Sequence, residues 1–285
     1  HFAPGSARSL TGKMGTRPTQ FCLSSIHKYL EVWGIAEQDV AQRLRHWKGL
    51  PVVGAWPQAD RDRVIALQPD LILASGTGTL DAYEANTFKM APDGFINFDT
   101  RTLADLDRQI ATIGGITGKA ERAHDIIEQL AARREAIVAR RALPERRPSV
   151  LFEYCVCIKY DSDPARRFAN PGRFIMVGGH LAPDLIRLSG GEPLFTQPGD
   201  AVAWTAFEAI RQAQPDMVLV FDCNGCPNAM THPIDTRPGW SELAAVSDHA
   251  VYTPGKNMSN PNLCYPEALD ELVDLVGAWC RAHGG

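Results

Sequence analysis

The sequence predicts an α/β fold in which two Rossmann-like lobes, each with a mainly parallel sheet, are joined by one long α-helix, with a cleft between the lobes. Two observations predict this class. A helix, a Gln-Pro-Asp turn and an aliphatic strand follow one another at residues 58–75 and again at residues 207–222. Between the two copies, residues 119–142 carry apolar side chains at helical spacing without proline or glycine. Repeated αβ units favour two lobes of similar topology.

The composition limits the possible partners. A chain of 285 residues is long enough for two separate cores. Its net charge of -4 does not provide the basic surface that binding to a phosphate backbone requires, so we expect no nucleic-acid partner. No segment approaches the ~20 apolar residues of a membrane helix. The first ten residues, HFAPGSARSL, lack the charged and then apolar order of a signal peptide, so we expect that a secretion signal is absent from this sequence.

The repeat reads QADRDRVIALQPDLILAS in its first copy and FEAIRQAQPDMVLVFD in its second. In each copy the proline ends the helix, and the aliphatic run that follows predicts a buried strand. Asp62 and Glu208 occupy equivalent positions, because each stands eight residues before the aspartate of its Gln-Pro-Asp. Chance similarity of two αβ units is the alternative interpretation.

The apolar pattern of KAERAHDIIEQLAARREAIVARRA predicts a helix that bridges the lobes. We therefore predict an N-terminal lobe at residues 17–117, a bridging helix at 118–143 and a C-terminal lobe at 147–285. In the last of these, PSVLFEYCVCIKY predicts a strand, and YPEALDELVDLVGAWCRAHG predicts a C-terminal amphipathic helix that ends at glycine.

Five phrases in this order resemble one family. They are TQFCLSSIHKYLEVWGI, VVGAW, IATIGGITGKAERA, LIRLSGGEPLF and RPGWSELAAVSDHAVYTP. The sequence resembles, over residues 17 to 280, the periplasmic binding proteins for vitamin B12, haem and iron-siderophores, known as class III, whose lobes are joined by a rigid helix. The resemblance implies a monomeric, periplasmic or extracytoplasmic protein. Such a protein captures a small molecule or metal chelate and delivers it to the permease dimer of an ABC importer, meeting the membrane only through that permease.

In this family an acidic residue on each lobe pairs with arginines of the permease, and the matching positions are Asp62 and Glu208. Pairing of a carboxylate with a guanidinium is charge-assisted and can be bidentate, so two acids would orient the docked protein. The alternative is that both acids only favour the N-terminal end of a helix dipole.

Cysteines follow several predicted strands. Cys155 and Cys157 come after VLFEY, Cys223 and Cys226 form a Cys-x-x-Cys after MVLVFD, and Cys264 precedes the last helix. Ligands of open α/β sheets bind outside the carboxyl ends of the strands. Thiolates there suit zinc, copper(I) or an iron-sulfur cluster, which would be the cofactor or cargo. Disulfides or buried thiols are the alternative.

Aromatic and polar side chains form a second set of ligand-binding candidates. Trp56 stands six residues before Asp62, where the cobalamin-binding members carry an aromatic residue, and Trp204 precedes Glu208. Flat faces from both lobes would hold a planar macrocycle. Tyr160 lies in a predicted long loop, Asn224 lies between Cys223 and Cys226, and His180 follows the sequence VGG. His180 is either an axial ligand to the metal of a corrin or haem, or a solvated histidine.

The sequence lacks the local motifs of common enzymes. It has no Gly-x-Ser-x-Gly elbow, no Walker glycine loop and no His-Glu-x-x-His helix, so we expect a binding protein rather than an enzyme. The alternative is a cysteine-ligated metal or iron-sulfur protein, with a redox or metal-handling role, on the same two-lobed scaffold.

Overall fold

The computed structural model describes residues 54–55, 58–59, 61–75, 95–141, 146–155, 174–221, 234, 237–254, 258 and 261–283. The chain divides into two compact units, residues 1–60 and residues 61–285. In the first unit, β1 (Gly54–Ala55) pairs antiparallel with β2 (Gln58–Ala59). All elements described below belong to the second unit.

Helices and strands alternate through most of the second unit. Its described helices are α1 (Arg61–Ala66), α2 (Leu103–Ile116), α3 (Ala120–Val138), α4 (Ala182–Ser189), α5 (Phe207–Ala213), α6 (Ala244–Ser247) and α7 (Tyr265–His283). A short 3₁₀ turn, Trp240–Glu242, precedes α6. The described strands are β3 (Ile72–Ser75), β4 (Phe95–Phe98), β5 (Ser149–Cys155), β6 (Phe174–Val177), β7 (Glu192–Pro193), β8 (Ala203–Ala206), β9 (Met217–Val220) and β10 (Val251–Tyr252). Within the described part of the chain, no helix is both long and apolar enough to cross a membrane.

The main sheet combines parallel and antiparallel strands. Its described strands follow the order β10-β9-β5-β6-β8, and β7 also pairs with β5. The pairs β10 with β9, β9 with β5 and β7 with β5 are parallel, whereas β6 runs antiparallel to both β5 and β8. Strands β3 and β4 form a separate parallel pair. The prediction of mainly parallel sheets therefore holds for β3 with β4 and for the β5, β9 and β10 side of the main sheet.

The core of this unit lies around β5 and β9. Leu151, Met217, Val218 and Leu219 are completely buried. A continuous apolar run such as Met217–Val220 is typical of a strand that is covered on both faces. Helix α7 adds a buried face to the same core, which includes Leu269 and Leu272.

Both copies of the sequence repeat form a helix, a turn and a strand, as predicted. The glutamine of each Gln-Pro-Asp has a left-handed backbone, with φ of 46° at Gln68 and 44° at Gln214. A left-handed residue ends a helix, and a following proline disfavours further helical backbone. The copies differ in burial, because Leu73 of β3 is 45% exposed. The prediction of a buried strand is therefore correct for β9 and wrong at Leu73, since β4 is the only partner of β3 among the described strands.

Helix α3 forms within the residues predicted for the bridging helix, and its two halves pack on different elements. Its 19 residues span about 28 Å at ~1.5 Å per residue. The first half packs on α2, where Ala123 lies against Gly114. The second half packs on α7, where the Arg134 guanidinium donates a hydrogen bond to the Tyr265 hydroxyl at 3.3 Å. That hydroxyl donates in turn to the carbonyl oxygen of Leu130 at 3.4 Å.

The close contact of α2 with α3 gives a test of this packing. A Cβ atom added at Gly114 would lie 2.4 Å from the Cβ of Ala123, whereas one added at Gly115 would meet nothing within 4 Å. We expect Gly114→Ala to lower the free energy of unfolding by about 1–3 kcal/mol through overpacking. We expect Gly115→Ala to raise it by up to about 1 kcal/mol through helix propensity. Urea unfolding followed by circular dichroism measures both, and equal effects would contradict this crossing.

Candidate functional site

Three parallel strands, β5, β9 and β10, end at one edge of the main sheet. Glu153 of β5 stands opposite Val220 of β9, and the backbone N–H of Phe221 donates to the carbonyl oxygen of Glu153 at 2.9 Å. The segments that follow β5 and β9 therefore leave the sheet from neighbouring strands. In open α/β sheets this carboxyl edge is where ligands bind.

The structure describes only some of the predicted cysteine positions. Cys155 is the last residue of β5 and stands opposite Met176 of β6. Cys264 is half-buried directly before α7, and its backbone N–H donates to the side-chain oxygen of Asn262 at 2.8 Å. Six predicted site residues lie outside the described part of the chain: Trp56, Cys157, Tyr160, Cys223, Asn224 and Cys226. Among the described residues, no group of three or more His, Cys, Asp or Glu side chains is arranged to hold a metal ion.

Trp204 is an exposed aromatic residue on a strand. It lies in β8 opposite Met176, and 46% of its surface is accessible to solvent. Trp240 and Trp279, by contrast, are buried in the core. Trp204 is therefore available for contact with a ligand.

A cluster of three rings, Tyr154, His180 and Phe221, lies near the ends of β5 and β9, and we call it the aromatic cluster. The rings of Tyr154 and Phe221 are stacked, with centroids 5.8 Å apart and planes 9° apart. The centroid of the His180 ring is 5.6 Å from that of Tyr154. All three residues are half-buried, and Phe152 packs beside them with its centroid 6.4 Å from Tyr154. The cluster combines two flat faces with one imidazole.

Sequence reasoning selected His180 for this site but missed Tyr154 and Phe221. Two signals were present. Alternate residues of a strand share a face, so Tyr154 continues the face of Phe152 towards the carboxyl end of β5. Phe221 directly follows the buried run of β9, where binding residues are expected.

Two glycines bring His180 into the cluster. Gly178 and Gly179 have φ of 63° and 90°, and His180 itself has φ of 50°. A Cβ atom at Gly178 would lie 1.8 Å from the hydroxyl of Thr196, so only glycine fits there. The tight turn leads the chain from β6 to α4 and leaves the imidazole beside Tyr154.

The segment that follows β4 lies against this turn. Burial lowers the pKa of His180, while a hydrogen bond with the backbone of Thr100 and the charge of Asp99 oppose that effect. The N–H of Leu103 donates to the Asp184 carboxylate of α4 at 2.8 Å, and burial raises the pKa of Asp184. His180 is therefore held between two parts of the chain, where burial favours its neutral form.

The two acidic residues predicted to dock on a permease are both exposed. Asp62 lies in the first turn of α1, and Glu208 lies in the first turn of α5. Glu208 forms an ion pair with Arg211 at 2.7 Å and accepts a hydrogen bond from Gln212 at 3.1 Å. The hydrogen bond from Arg211 lowers the pKa of Glu208, so this carboxylate is charged.

The lowered pKa of His180 predicts a pH dependence of stability. The folded protein binds the proton of this ring less well than the unfolded chain, so the contribution of His180 to stability is present above the ordinary pKa of about 6.5 and is lost as the pH falls through the folded pKa. Between pH 7.5 and 5.5 we expect the free energy of unfolding to fall more for the natural protein than for His180→Asn, since asparagine tolerates the left-handed backbone. Urea titrations at the two pH values measure this, and equal losses would contradict it.

The chain belongs to the periplasmic binding protein family, whose sequence model matches residues 28–258. The uncharacterized ABC transporter substrate-binding lipoprotein YvrC of Bacillus subtilis (strain 168) is 23% identical over 224 residues, or 75% of this chain. The matched region spans 64% of the length of that relative. Family membership agrees with the expectation of a binding protein rather than an enzyme.

Solved structures show the same fold. The chain is similar to an ABC transporter substrate-binding protein from Listeria monocytogenes EGD-e, with a TM-score of 0.63, 21% identity, and coverage of 81% of this chain and 85% of that chain. It is also similar to S. aureus IsdE complexed with heme, with a TM-score of 0.63, 17% identity, and coverage of 81% of this chain and 86% of that chain. A third similar structure is the periplasmic vitamin B12 binding protein BtuF of Vibrio cholerae. Its TM-score is 0.56 at 16% identity, with coverage of 80% of this chain and 81% of that chain. The predicted two-lobed α/β class and the family resemblance are confirmed.

Proposed function

We propose that this protein is the solute-binding component of an ABC importer. It acts outside the cytoplasm as a monomer, captures a metal chelate with a flat conjugated ring of the corrinoid or haem type, and delivers it to a permease dimer. The observation that carries this proposal is the aromatic cluster of Tyr154, His180 and Phe221 near the carboxyl ends of β5 and β9.

The chemistry of the cluster suits such a ligand. Aromatic faces pack well on flat rings through offset stacking and burial of apolar surface. A neutral imidazole can coordinate the iron of a haem or the cobalt of a corrin, and burial favours the neutral form of His180. Trp204, with 46% of its surface exposed, adds a further ring on the same sheet.

The relatives also support this class of ligand. Two of the similar structures are a haem-bound protein and a vitamin B12 binding protein, and both ligands are metal-containing macrocycles. A large planar ring with a central metal is therefore the ligand class that both the relatives and the aromatic cluster favour.

The direct test is titration of the purified protein with haemin and with cyanocobalamin, followed by absorbance and by tryptophan fluorescence. We expect one of the two to bind with a Kd below about 10 μM, which corresponds to roughly -7 kcal/mol. His180→Ala and Trp204→Ala should each weaken binding about tenfold, or about 1.4 kcal/mol. Phe195→Ala is the matched control, because Phe195 is an exposed aromatic residue outside the cluster. Failure of both ligands to bind, or equal affinities for all variants, would refute the proposal.

A second candidate function has a specific observation in its favour. Because β5 and β9 are adjacent and parallel, Cys155 at the end of β5 and the sequence after β9, with Cys223 and Cys226, come from neighbouring strands. Thiolates from these segments, with Cys157 and Cys264, would hold a zinc ion or an iron-sulfur cluster, either as cargo or in a redox or metal-handling protein. Iron, zinc, cobalt and sulfide analysis of anaerobically purified protein distinguishes the candidates. Bound metal that is lost in Cys223→Ser/Cys226→Ser would favour this second function.

We further propose that Asp62 and Glu208 contact arginines of the permease. Both acids are exposed, and each lies in the first turn of the helix in one copy of the repeat. Docking would exchange the ion pair of Glu208 with Arg211 for a pair with a permease arginine, at little cost because an exposed pair contributes little.

The docking proposal is tested with the cognate permease in proteoliposomes. We expect Asp62→Ala/Glu208→Ala to reduce stimulation of ATP hydrolysis at least about tenfold, the equivalent of one or two charge-assisted pairs, without a change in ligand affinity. Glu242→Ala is the matched control, because Glu242 is another exposed carboxylate near Arg211. Full stimulation by the double variant would show that these two acids have no role in docking.

A further inference from the structure

The imidazole of His180 lies between the aromatic cluster and the segment that follows β4. On one side, its ring centroid is 5.6 Å from that of Tyr154. On the other side, a hydrogen bond joins the ring to the backbone of Thr100. Burial lowers the pKa of His180, and this bond acts in the opposite direction, so it favours the protonated ring. A backbone group favours a protonated ring by accepting its N–H, and the acceptor is therefore the carbonyl oxygen of Thr100.

The direction of this hydrogen bond distinguishes the two ring nitrogens of His180. In a neutral imidazole one nitrogen carries the proton, and the other is an acceptor with a lone pair. The nitrogen that donates to Thr100 is the protonated one, so the lone pair belongs to the opposite nitrogen. Residues that fix the carbonyl group of Thr100 therefore decide which nitrogen of His180 can bind a metal.

Thr100 is fixed by its own side chain and by the start of α2. It is only 4% exposed, and its hydroxyl donates a hydrogen bond to the side-chain oxygen of Gln109 at 2.6 Å. The next two backbone N–H groups, of Arg101 and Thr102, donate to the Asp105 carboxylate at 3.0 and 2.8 Å. The Thr102 hydroxyl accepts the N–H of Asp105 and completes a capping box. The backbone that follows the Thr100 carbonyl is therefore held in place.

A further contact joins this segment to the turn that carries His180. The Asp184 carboxylate, in the first turn of α4, accepts the backbone N–H of Leu103 at 2.8 Å, although the two residues are 81 positions apart. Because Asp184 lies only four residues after His180, this bond holds the imidazole close to Thr100. Helix α2 has its own capping box, so the contribution of Asp184 is to connect two parts of the chain.

We infer that Thr100 and Asp184 are positioning residues for His180. Together they hold the Thr100 carbonyl oxygen against one ring nitrogen, so that the opposite nitrogen presents its lone pair to the metal of a bound chelate. A histidine that binds a metal commonly donates its other N–H to a carbonyl or carboxylate oxygen, which orients the ring and fixes its tautomer. The purpose of this arrangement rests on the proposed function, whereas the fixed tautomer rests on the contacts of the two segments.

The first readout is the tautomer of His180, measured without ligand by long-range ¹H–¹⁵N NMR of the ring nitrogens at mildly alkaline pH. We expect the natural protein to show one protonated and one unprotonated nitrogen with widely separated shifts. Asp184→Ala should bring the two shifts closer together, because the second tautomer becomes populated. Asp184→Asn should keep the natural separation, since its amide oxygen still accepts the N–H of Leu103 although it lacks the charge, as alanine does.

The second readout is affinity for haemin and for cyanocobalamin. Asp184→Ala should bind about tenfold more weakly to whichever probe the natural protein binds, because loss of a partner that orients a metal-binding histidine has an effect of this size. Asp216→Ala is the matched control, because Asp216 also accepts a backbone N–H at 2.8 Å, from Ser149, at the opposite end of β9. This control should change neither the ring shifts nor the affinity.

Each outcome decides one step. Averaged ring shifts in the natural protein, or the natural separation in Asp184→Ala, would overturn the positioning of the ring. A smaller separation with unchanged affinity would overturn the role of this positioning in ligand binding. If the natural protein binds neither probe, the proposed function fails, while the ring shifts still decide whether His180 is positioned.

A second variant replaces Asp184→Ala if that variant does not fold. Thr100→Val keeps the volume of the side chain and removes the hydrogen bond to Gln109, so it should change the ring shifts and the affinity in the same direction. Thr112→Val is its matched control, because the exposed Thr112 hydroxyl donates within its own helix, to the carbonyl oxygen of Arg108 at 2.8 Å. Equal ring shifts in Thr100→Val and Thr112→Val would overturn the inference.

Discussion

The parallel pairing of β5 with β9 is the constraint on which the rest of the structure depends. Leu151 of β5 and Val218 and Leu219 of β9 are completely buried, so this pair of strands lies at the centre of the core. Their pairing sets Glu153 beside Val220 and brings Tyr154 next to Phe221. The register of these two strands therefore decides which side chains meet at the carboxyl edge.

The two faces of β5 have separate tasks. Phe152 and Tyr154 lie on one face, and Tyr154 forms the aromatic cluster with Phe221 and His180. Glu153 lies on the other face and binds Arg237. Because the strand alternates in this way, its ring at Tyr154 contacts Phe221 and His180 while the next side chain back, Glu153, contacts Arg237. Both sets of contacts thus come from three consecutive residues of β5.

Much of the fold was predictable because its signals are local. The apolar period of α3, the Gln-Pro-Asp turns at Gln68 and Gln214 and the run of β9 each depend on a few neighbouring residues, and all three elements form as expected. The site was less predictable, because its members come from distant segments. Glu153 and Arg237 are 84 residues apart, and His180 reaches Tyr154 only through a left-handed turn with two glycines. Strand pairing decides these contacts, and the sequence does not state which strands are neighbours.

The central claim, that the ligand binds at the edge formed by β5 and β9, is tested most directly by NMR with a paramagnetic probe. Manganese(III) protoporphyrin is added to isotope-labelled protein, and the metal broadens the signals of the amides that lie nearest to it. We expect the strongest broadening at Tyr154, His180 and Phe221, and little at the C-terminal half of α7. Strongest broadening on α7 or α1, with the signals of Tyr154 and Phe221 intact, would contradict it.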